Sequence, residues 1–308
     1  MILSADLLIR GVARGVNVAA SLAILGTIIG YPLFVQSGLP PNTTQAARNA
    51  RRAIVTFLRG SLAVSVSAGV VWLGFEAIYA TGSHHLTAGI NAILPLLQDT
   101  NFGHLWIIRI LAMIGAVAMF GTGETKTRIL LAGGFAVIAV ALQAGLGHGA
   151  AMGGAEGHLL FATLILHLLA AGLWLGGLAP LLIVIKAIPP EAAFRVATRF
   201  SRAGVACVIT IAITAAIQAW YLIGTVAAFT NTTYGLVALG KLILFAALIA
   251  IAATNRWLTS RIPTSSGQHA KNLLYKSIII ETAIGLTVII LAGILMELPP
   301  AMDMVKIG

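Results

Sequence analysis

The stretch EGHLLFATLILHLLAAGLWLGGLAPLLIVIK, residues Glu156–Lys186, decides the fold class because its apolar run is long enough to cross a bilayer. The run nevertheless contains His158 and His167. Polar side chains are expensive to place inside a bilayer, so each histidine is a candidate functional residue. On an α-helix, His167 falls on the face opposite His158 and about 13 Å deeper. Gly172 and Gly176 share the His158 face and form a small-xxx-small pair, which favours close contact with another helix.

The composition of the whole chain indicates that most of it is surrounded by lipid. Of its 308 residues, 59% are hydrophobic and 9% are charged, whereas soluble domains carry about 25% charged residues. Loop residues that orient helices in a membrane explain the net charge of +10, so we expect no nucleic-acid partner. The single cysteine, Cys207, excludes an internal disulfide and a multi-cysteine metal site.

Apolar runs of about 20 residues recur along the chain. They predict an all-α polytopic membrane protein, a bundle of about eight transmembrane helices. We divide the chain into an N-terminal four-helix membrane half, residues 1–150, and a C-terminal four-helix membrane half, residues 151–308. The runs are Gly15–Gln36, Gly60–Ala80, His104–Gly121, Arg128–Gly147, Gly157–Ile185, Ala203–Ala228, Tyr234–Asn255 and Lys276–Glu297.

The basic residues are confined to alternate connections between these runs. The connections after the first, third, fifth and seventh runs hold fourteen of the nineteen Lys and Arg residues, and the connections between them hold none. The positive-inside rule places the basic connections in the cytoplasm, so both termini are predicted to face the outside, which is the periplasm if the chain lies in a Gram-negative inner membrane. We call the predicted periplasmic side the outer side. Asp6, Arg10 and Arg14 lie four residues apart and predict a short helix on the membrane surface before the first run.

Six of the seven histidines lie on the outer side or open toward it, together with several methionines. Imidazole nitrogen suits Cu(II) and thioether sulfur suits Cu(I), so the pattern predicts a copper site. Surface histidines and tail methionines without a metal are the alternative interpretation, but histidines without a function would be scattered over both sides. The predicted metal ligands are His158, His167, His148, Met152, His84, His85 and His104, with Met296, Met302 and Met304 as C-terminal outer ligands.

Other polar or soft side chains within the runs are candidates for a pathway or for balancing charge. Similar depth predicts an ion pair between Glu76 and Arg109, and Glu281 is predicted to pair with Arg202 or Arg256. Interhelical hydrogen bonding is the alternative role for the polar groups, and packing is the alternative for the cysteine. The candidates are Glu76, Lys241, Glu281, Gln218 and Cys207.

Several motifs of the second half occur together in a characteristic order. They are HLLAAGLWLGGLAPL at His167–Leu181, RFSRAG at Arg199–Gly204, and Tyr-Gly-x-x-x-x-x-Lys and Asn-Arg within Ala219–Arg256. The last motif is Glu281 followed by the proline pair Pro299–Pro300. In this order and spacing the second half resembles the CopD-type copper resistance membrane proteins. The resemblance implies a bacterial inner-membrane protein that takes copper from the periplasm, often from a small CopC-type copper-binding protein, and moves it toward the cytoplasm. For this chain, we expect the CopC-type partner to be a separate protein.

The leading functional hypothesis is copper uptake by ligand exchange, with no enzymatic reaction. Copper, as Cu(I) or Cu(II), is captured by the outer His and Met residues, passed to His158 and His167, and released inward. One alternative is a membrane haem cytochrome or quinol oxidoreductase, because histidines inside a helical bundle can ligate haem. Another alternative is a copper sensor or dock that binds the ion without transporting it.

Overall fold

The computed structural model consists of helices and describes residues 4–36, 45–82, 85–123, 125–147, 153–261 and 267–302. Eight of the described helical segments are long and apolar enough to cross a membrane, and each contains one of the predicted runs or most of it. The prediction of an all-α bundle of about eight transmembrane helices is therefore confirmed. The helices are α1 (Ala5–Gly30), α2 (Gln45–Ala80), α3 (Leu86–Asp99), α4 (Asn101–Gly121), α5 (Lys126–Ala141), α6 (Gly154–Ala187), α7 (Pro190–Leu222), α8 (Val226–Asn231), α9 (Thr233–Arg261) and α10 (Gly267–Leu295).

Two helices, α3 and α8, are too short to span a bilayer and lie between spanning helices on the outer side. The predicted C-terminal end of the run Ala203–Ala228 is wrong, because the spanning helix α7 ends at Leu222. Gly224 then has a φ of +77°, a left-handed conformation that favours glycine. Thr225 caps the following α8 by accepting a hydrogen bond from the backbone N–H of Ala228.

The first helix, α1, is the most buried of the spanning helices. It packs backbone to backbone against α6, where a Cβ on Gly176 would overlap the backbone carbonyl of Leu22. It packs equally closely against α10, where a Cβ on Gly293 would overlap the backbone of Gly11 and Gly15. The predicted close contact at Gly176 is confirmed, and the small residues place α1 between helices of the C-terminal half.

The predicted surface helix before the first span is wrong. α1 is continuous from Ala5, and Arg10 and Arg14 are buried within the bundle, each only 6% exposed. The physical reason is that both guanidinium groups have carboxylate partners inside the bundle, so they do not need to remain at the membrane surface. Arg10 pairs with Glu76 and Glu297, and Arg14 pairs with Glu297.

Candidate functional site

A buried ion-pair network joins α1, α2 and the segment after α10 at the outer side. Arg10 lies 3.5 Å from a carboxylate oxygen of Glu76 and 3.3 Å from one of Glu297. Arg14 lies 3.1 Å from the other oxygen of Glu297 and also donates to the backbone carbonyls of Leu146 and Met296. The guanidinium groups of Arg10 and Arg14 and the carboxylates of Glu76 and Glu297, which we call the outer ion-pair network, balance in charge. They hold distant parts of the chain together.

Arg109 does not pair with Glu76, so that prediction is wrong. The Nε atom of Arg109 donates to the carbonyl of Ala139 at 3.1 Å, and its Nη2 atom donates to Asn17 at 3.2 Å. Asn17 in turn donates to the backbone and side chain of Ser65 at 2.8 Å and 3.1 Å. Glu76 is already held by Arg10, and the buried Arg109 instead crosslinks α1, α2, α4 and α5 through neutral acceptors.

His167 lies inside the bundle on α6, where its ring is held by α7. Its Nδ1 atom is 3.0 Å from the hydroxyl oxygen of Thr214, which is 4% exposed. A neutral imidazole with one nitrogen engaged in this way presents its other nitrogen as a possible metal ligand. Among the described residues, that nitrogen, Nε2, has no hydrogen-bond partner.

Two further polar side chains lie on the helices α9 and α7. Lys241 on α9 is close enough to interact electrostatically with the ring, and no carboxylate of the described residues lies within 4.0 Å of its ammonium group. Gln218 lies one turn beyond Thr214 on α7, and its buried Nε2 atom has no partner among the described residues. Buried polar groups without protein partners are satisfied by water or by a ligand. The structure thus brings Lys241 within electrostatic range of His167, and it places Gln218 on the helix that holds the His167 ring.

A cavity of about 270 Å³ lies between α6, α7, α9 and α10. Its walls are mainly apolar and include Trp174, which lies two turns of α6 beyond His167, or about 10 Å toward the predicted cytoplasmic side. Glu281, Asn255 and Arg256 also line it. The cavity therefore lies on the predicted cytoplasmic side of His167 along α6.

Glu281 is buried at this cavity and is held by a neutral partner. The amide Nδ2 of Asn255 donates to Glu281 at 3.2 Å, while the amide oxygen of Asn255 is buried without a partner. Within the described chain, no Lys or Arg nitrogen lies within 4.0 Å of Glu281, so the predicted ion pair with Arg202 or Arg256 is wrong. Asn255 precedes Arg256 on α9 and presents its amide to the carboxylate instead.

The other described candidate ligands lie apart from His167 on the outer side. His158 is exposed in the first turns of α6, and His85 is exposed at the start of α3. His104 is exposed on α4, with a ring nitrogen 2.7 Å from the carbonyl of Gln98. Met296 and Met302 are half-buried near Gly147 and Gly224, respectively.

Four predicted ligands, His84, His148, Met152 and Met304, lie outside the described residues. Within the described ranges, no three His, Cys, Asp or Glu side chains converge as a ready-made metal cluster. The assignment of the outer histidines and methionines as metal ligands stays a prediction. Cys207 is 7% exposed within the hydrophobic core, surrounded by apolar side chains.

Sequence reasoning did not single out Thr214, although a signal was present. Thr210, Thr214 and Gln218 are spaced four residues apart on one face of a predicted span. It assigned Arg10 and Arg14 to a surface helix and missed that they form a buried polar stripe of α1 together with Asn17 and Ser21. Ser21 and Ser65 both donate to the sulfur of Met113, at 3.1 Å and 3.4 Å.

Comparison with known proteins matches both halves of the chain to one family. Residues 8–159 match the family model "Copper resistance protein D-like, N-terminal domain", and residues 194–295 match "Copper resistance protein D". The two matched ranges fall on the described helices of both halves. The chain therefore belongs to the CopD-type copper resistance family, and it is a multi-pass protein of the inner membrane.

Two curated proteins are similar over long stretches. Copper resistance protein D of Pseudomonas syringae pv. tomato is 29% identical over 174 residues, which cover 54% of this chain and 56% of that protein. Inner membrane protein YebZ of Escherichia coli (strain K12) is 24% identical over 253 residues, covering 80% of this chain and 82% of that protein. The match thus spans little more than half the length of the Pseudomonas protein. No solved structure matches this chain.

Proposed function

We propose that this protein takes up copper from the periplasm and moves it toward the cytoplasm by exchange between protein ligands, without an enzymatic reaction. The observation that carries the proposal is His167, an imidazole inside a membrane-spanning bundle with Nδ1 bound to Thr214 and Nε2 without a partner among the described residues. Family membership supports copper as the ion, since both family models and the Pseudomonas relative are named for copper resistance.

Copper enters this pathway from the outer side. The exposed His158, His85 and His104 are accessible there to an incoming ion or to a periplasmic copper-binding protein of the CopC type. Exposed imidazoles exchange ligands readily because no packing has to rearrange around them. The half-buried Met296 and Met302 offer thioether sulfur on the same side, which suits Cu(I).

The inward step leads from His167 to the cavity below it. Trp174 extends the wall of the path along α6, and Glu281 supplies a carboxylate there without a cationic partner among the described residues. A cation entering the cavity offsets the cost of burying that carboxylate. Glu76 does not have this freedom because Arg10 already neutralises it, so we assign Glu76 to the outer ion-pair network.

Metal analysis of purified protein tests the binding part of this proposal. After loading with Cu(I) and removal of free metal, the wild-type protein is expected to retain copper, and His167→Ala is expected to retain less. His269→Ala is the matched control, because His269 is exposed near the predicted cytoplasmic side and has no role in the pathway. Equal copper content in wild type and His167→Ala contradicts the proposal. A Soret band in the absorbance spectrum instead identifies a haem protein.

A further inference from the structure

The hydrogen bond between His167 and Thr214 determines which nitrogen of the imidazole is free. A neutral imidazole carries one ring proton, and the ring nitrogen opposite that proton has the lone pair that binds a metal. The contact joins Nδ1 of His167 to Oγ1 of Thr214 at 3.0 Å. The direction of this hydrogen bond therefore fixes the metal-binding nitrogen.

The single proton of the Thr214 hydroxyl determines the direction of this hydrogen bond. The carbonyls of Thr210 at 2.7 Å and Ile211 at 3.1 Å compete for this proton. A serine or threonine inside a helix commonly donates to the carbonyl one turn earlier in this way. Its oxygen then has only lone pairs to offer His167, so Nδ1–H donates and Oγ1 accepts.

With the proton on Nδ1, the lone pair lies on Nε2. Among the described residues, no hydrogen bond occupies Nε2. Metal-ligating histidines usually donate their other ring N–H to a carbonyl or a carboxylate, which fixes the tautomer and the ring orientation. Thr214 takes the place of that partner here, and its burial keeps water from competing for the hydrogen bond.

The geometry points to Thr214 as the residue that positions His167 and holds it in the Nδ1–H tautomer, leaving Nε2 as the copper ligand within the membrane. The copper part of this inference rests on the proposed function. The tautomer part concerns the metal-free protein and stands independently. Thr214 acts through His167 and does not itself touch copper.

Two substitutions separate the hydroxyl from the shape of the side chain. Thr214→Val keeps the volume but removes the acceptor, whereas Thr214→Ser keeps the hydroxyl. Thr210→Val is the matched control, because the Thr210 hydroxyl lies on the same helix one turn away and bonds back to the carbonyl of Ala206 at 2.9 Å. Its removal leaves the backbone carbonyl that accepts from Thr214 in place.

Nitrogen-15 NMR of ring-labelled histidine in metal-free protein reads the tautomer directly. The His167 signals are assigned as those missing in His167→Ala. Wild type, Thr214→Ser and Thr210→Val are expected to show a protonated Nδ1 and a bare Nε2, and Thr214→Val a substantial population of the opposite tautomer. A bare Nδ1 in wild type, or an unchanged tautomer in Thr214→Val, overturns the inference. Should Thr214→Val fail to fold, the wild-type spectrum alone still decides the direction of the hydrogen bond.

Cu(I) affinity measured by competition with a chelator completes the test. Loss of a residue that orients a metal ligand lowers affinity 10- to 100-fold. We expect a loss of about tenfold in Thr214→Val and affinities near wild type in Thr214→Ser and Thr210→Val. If wild type and His167→Ala bind copper equally, the proposed function fails. If His167→Ala loses copper and Thr214→Val does not, only the role of Thr214 fails.

Discussion

The outer ion-pair network and the surroundings of His167 are both polar and largely buried, but their partners differ. In the network, the carboxylate of Glu297 binds two guanidinium groups, and the charges of four side chains balance. Around His167, the described hydrogen-bond partner is a hydroxyl, and Lys241 has no carboxylate partner in the described part of the chain. The charge-balanced network is suited to joining helices, whereas the region around His167 is suited to holding a ligand.

Glu297→Gln is expected to have the largest effect on the stability of the outer ion-pair network. The substitution leaves Arg10 and Arg14 buried with one carboxylate, and breaking a buried ion pair destabilises a protein by about 3–5 kcal/mol. We expect a large fall in the melting temperature in detergent, with copper still bound by the folded fraction. Glu191→Gln, at an exposed position in the first turn of α7, is the control and should melt like wild type. Equal melting of the two variants argues against a structural network.

Gly176→Ala tests the contact that places α1 between α6 and the rest of the bundle. The added Cβ overlaps the backbone of Leu22, which cannot move aside as a side chain can. Overpacking of this kind costs roughly 2 kcal/mol. Gly134→Ala on α5 is the control, since a Cβ there meets nothing within 4 Å. A melting temperature for Gly176→Ala as high as that of the control excludes the backbone contact.

Glu281→Gln tests the proposed copper pathway on the cytoplasmic side of His167. It keeps the shape of the side chain and the hydrogen bond from Asn255, but it removes the charge at the cavity. We expect uptake of copper into proteoliposomes to slow about tenfold, because one lost interaction with a charged group is worth roughly 1.5 kcal/mol. Copper bound at equilibrium by His167 should remain. Unchanged uptake removes Glu281 from the pathway.

Glu76→Gln should have the smallest effect on stability. The Glu76 side chain is 25% exposed and makes one ion pair at 3.5 Å, whereas that of Glu297 is 5% exposed and makes two. Because solvent screens a partly exposed pair, we expect a loss of about 1 kcal/mol or less. The melting temperatures of Glu76→Gln and Glu297→Gln, measured under the same conditions, provide the comparison. A larger loss for Glu76→Gln reverses the ranking within the network.

The helical spans were predictable because a bilayer imposes a length and a composition on any segment that crosses it. Hydropathy therefore located each span, and the glycines of α6 indicated a close helix contact. The roles of Arg10 and Arg14 were not predictable in the same way. Glu297 lies 283 positions from Arg14 in the chain, and no local pattern indicates that the two meet.

The candidate site was predictable only in part, for a related reason. A histidine inside an apolar run stands out by its chemistry, so His167 was identified from sequence. Its partner Thr214 did not stand out, because threonine is common in membrane helices and bonds to its own backbone there. Whether Asn255 or Arg256 meets Glu281 depends on the rotation of α9, which hydropathy does not determine.

Copper uptake into proteoliposomes tests the central claim most directly. Wild type, His167→Ala and His269→Ala are reconstituted at equal density, Cu(I) is added outside with a weak chelator, and the copper trapped inside is measured over time. Copper is expected to accumulate at the same rate with wild type and His269→Ala, and much more slowly with His167→Ala. Copper that binds to wild type but does not enter identifies a sensor or dock. Equal uptake by wild type and His167→Ala contradicts a pathway through His167.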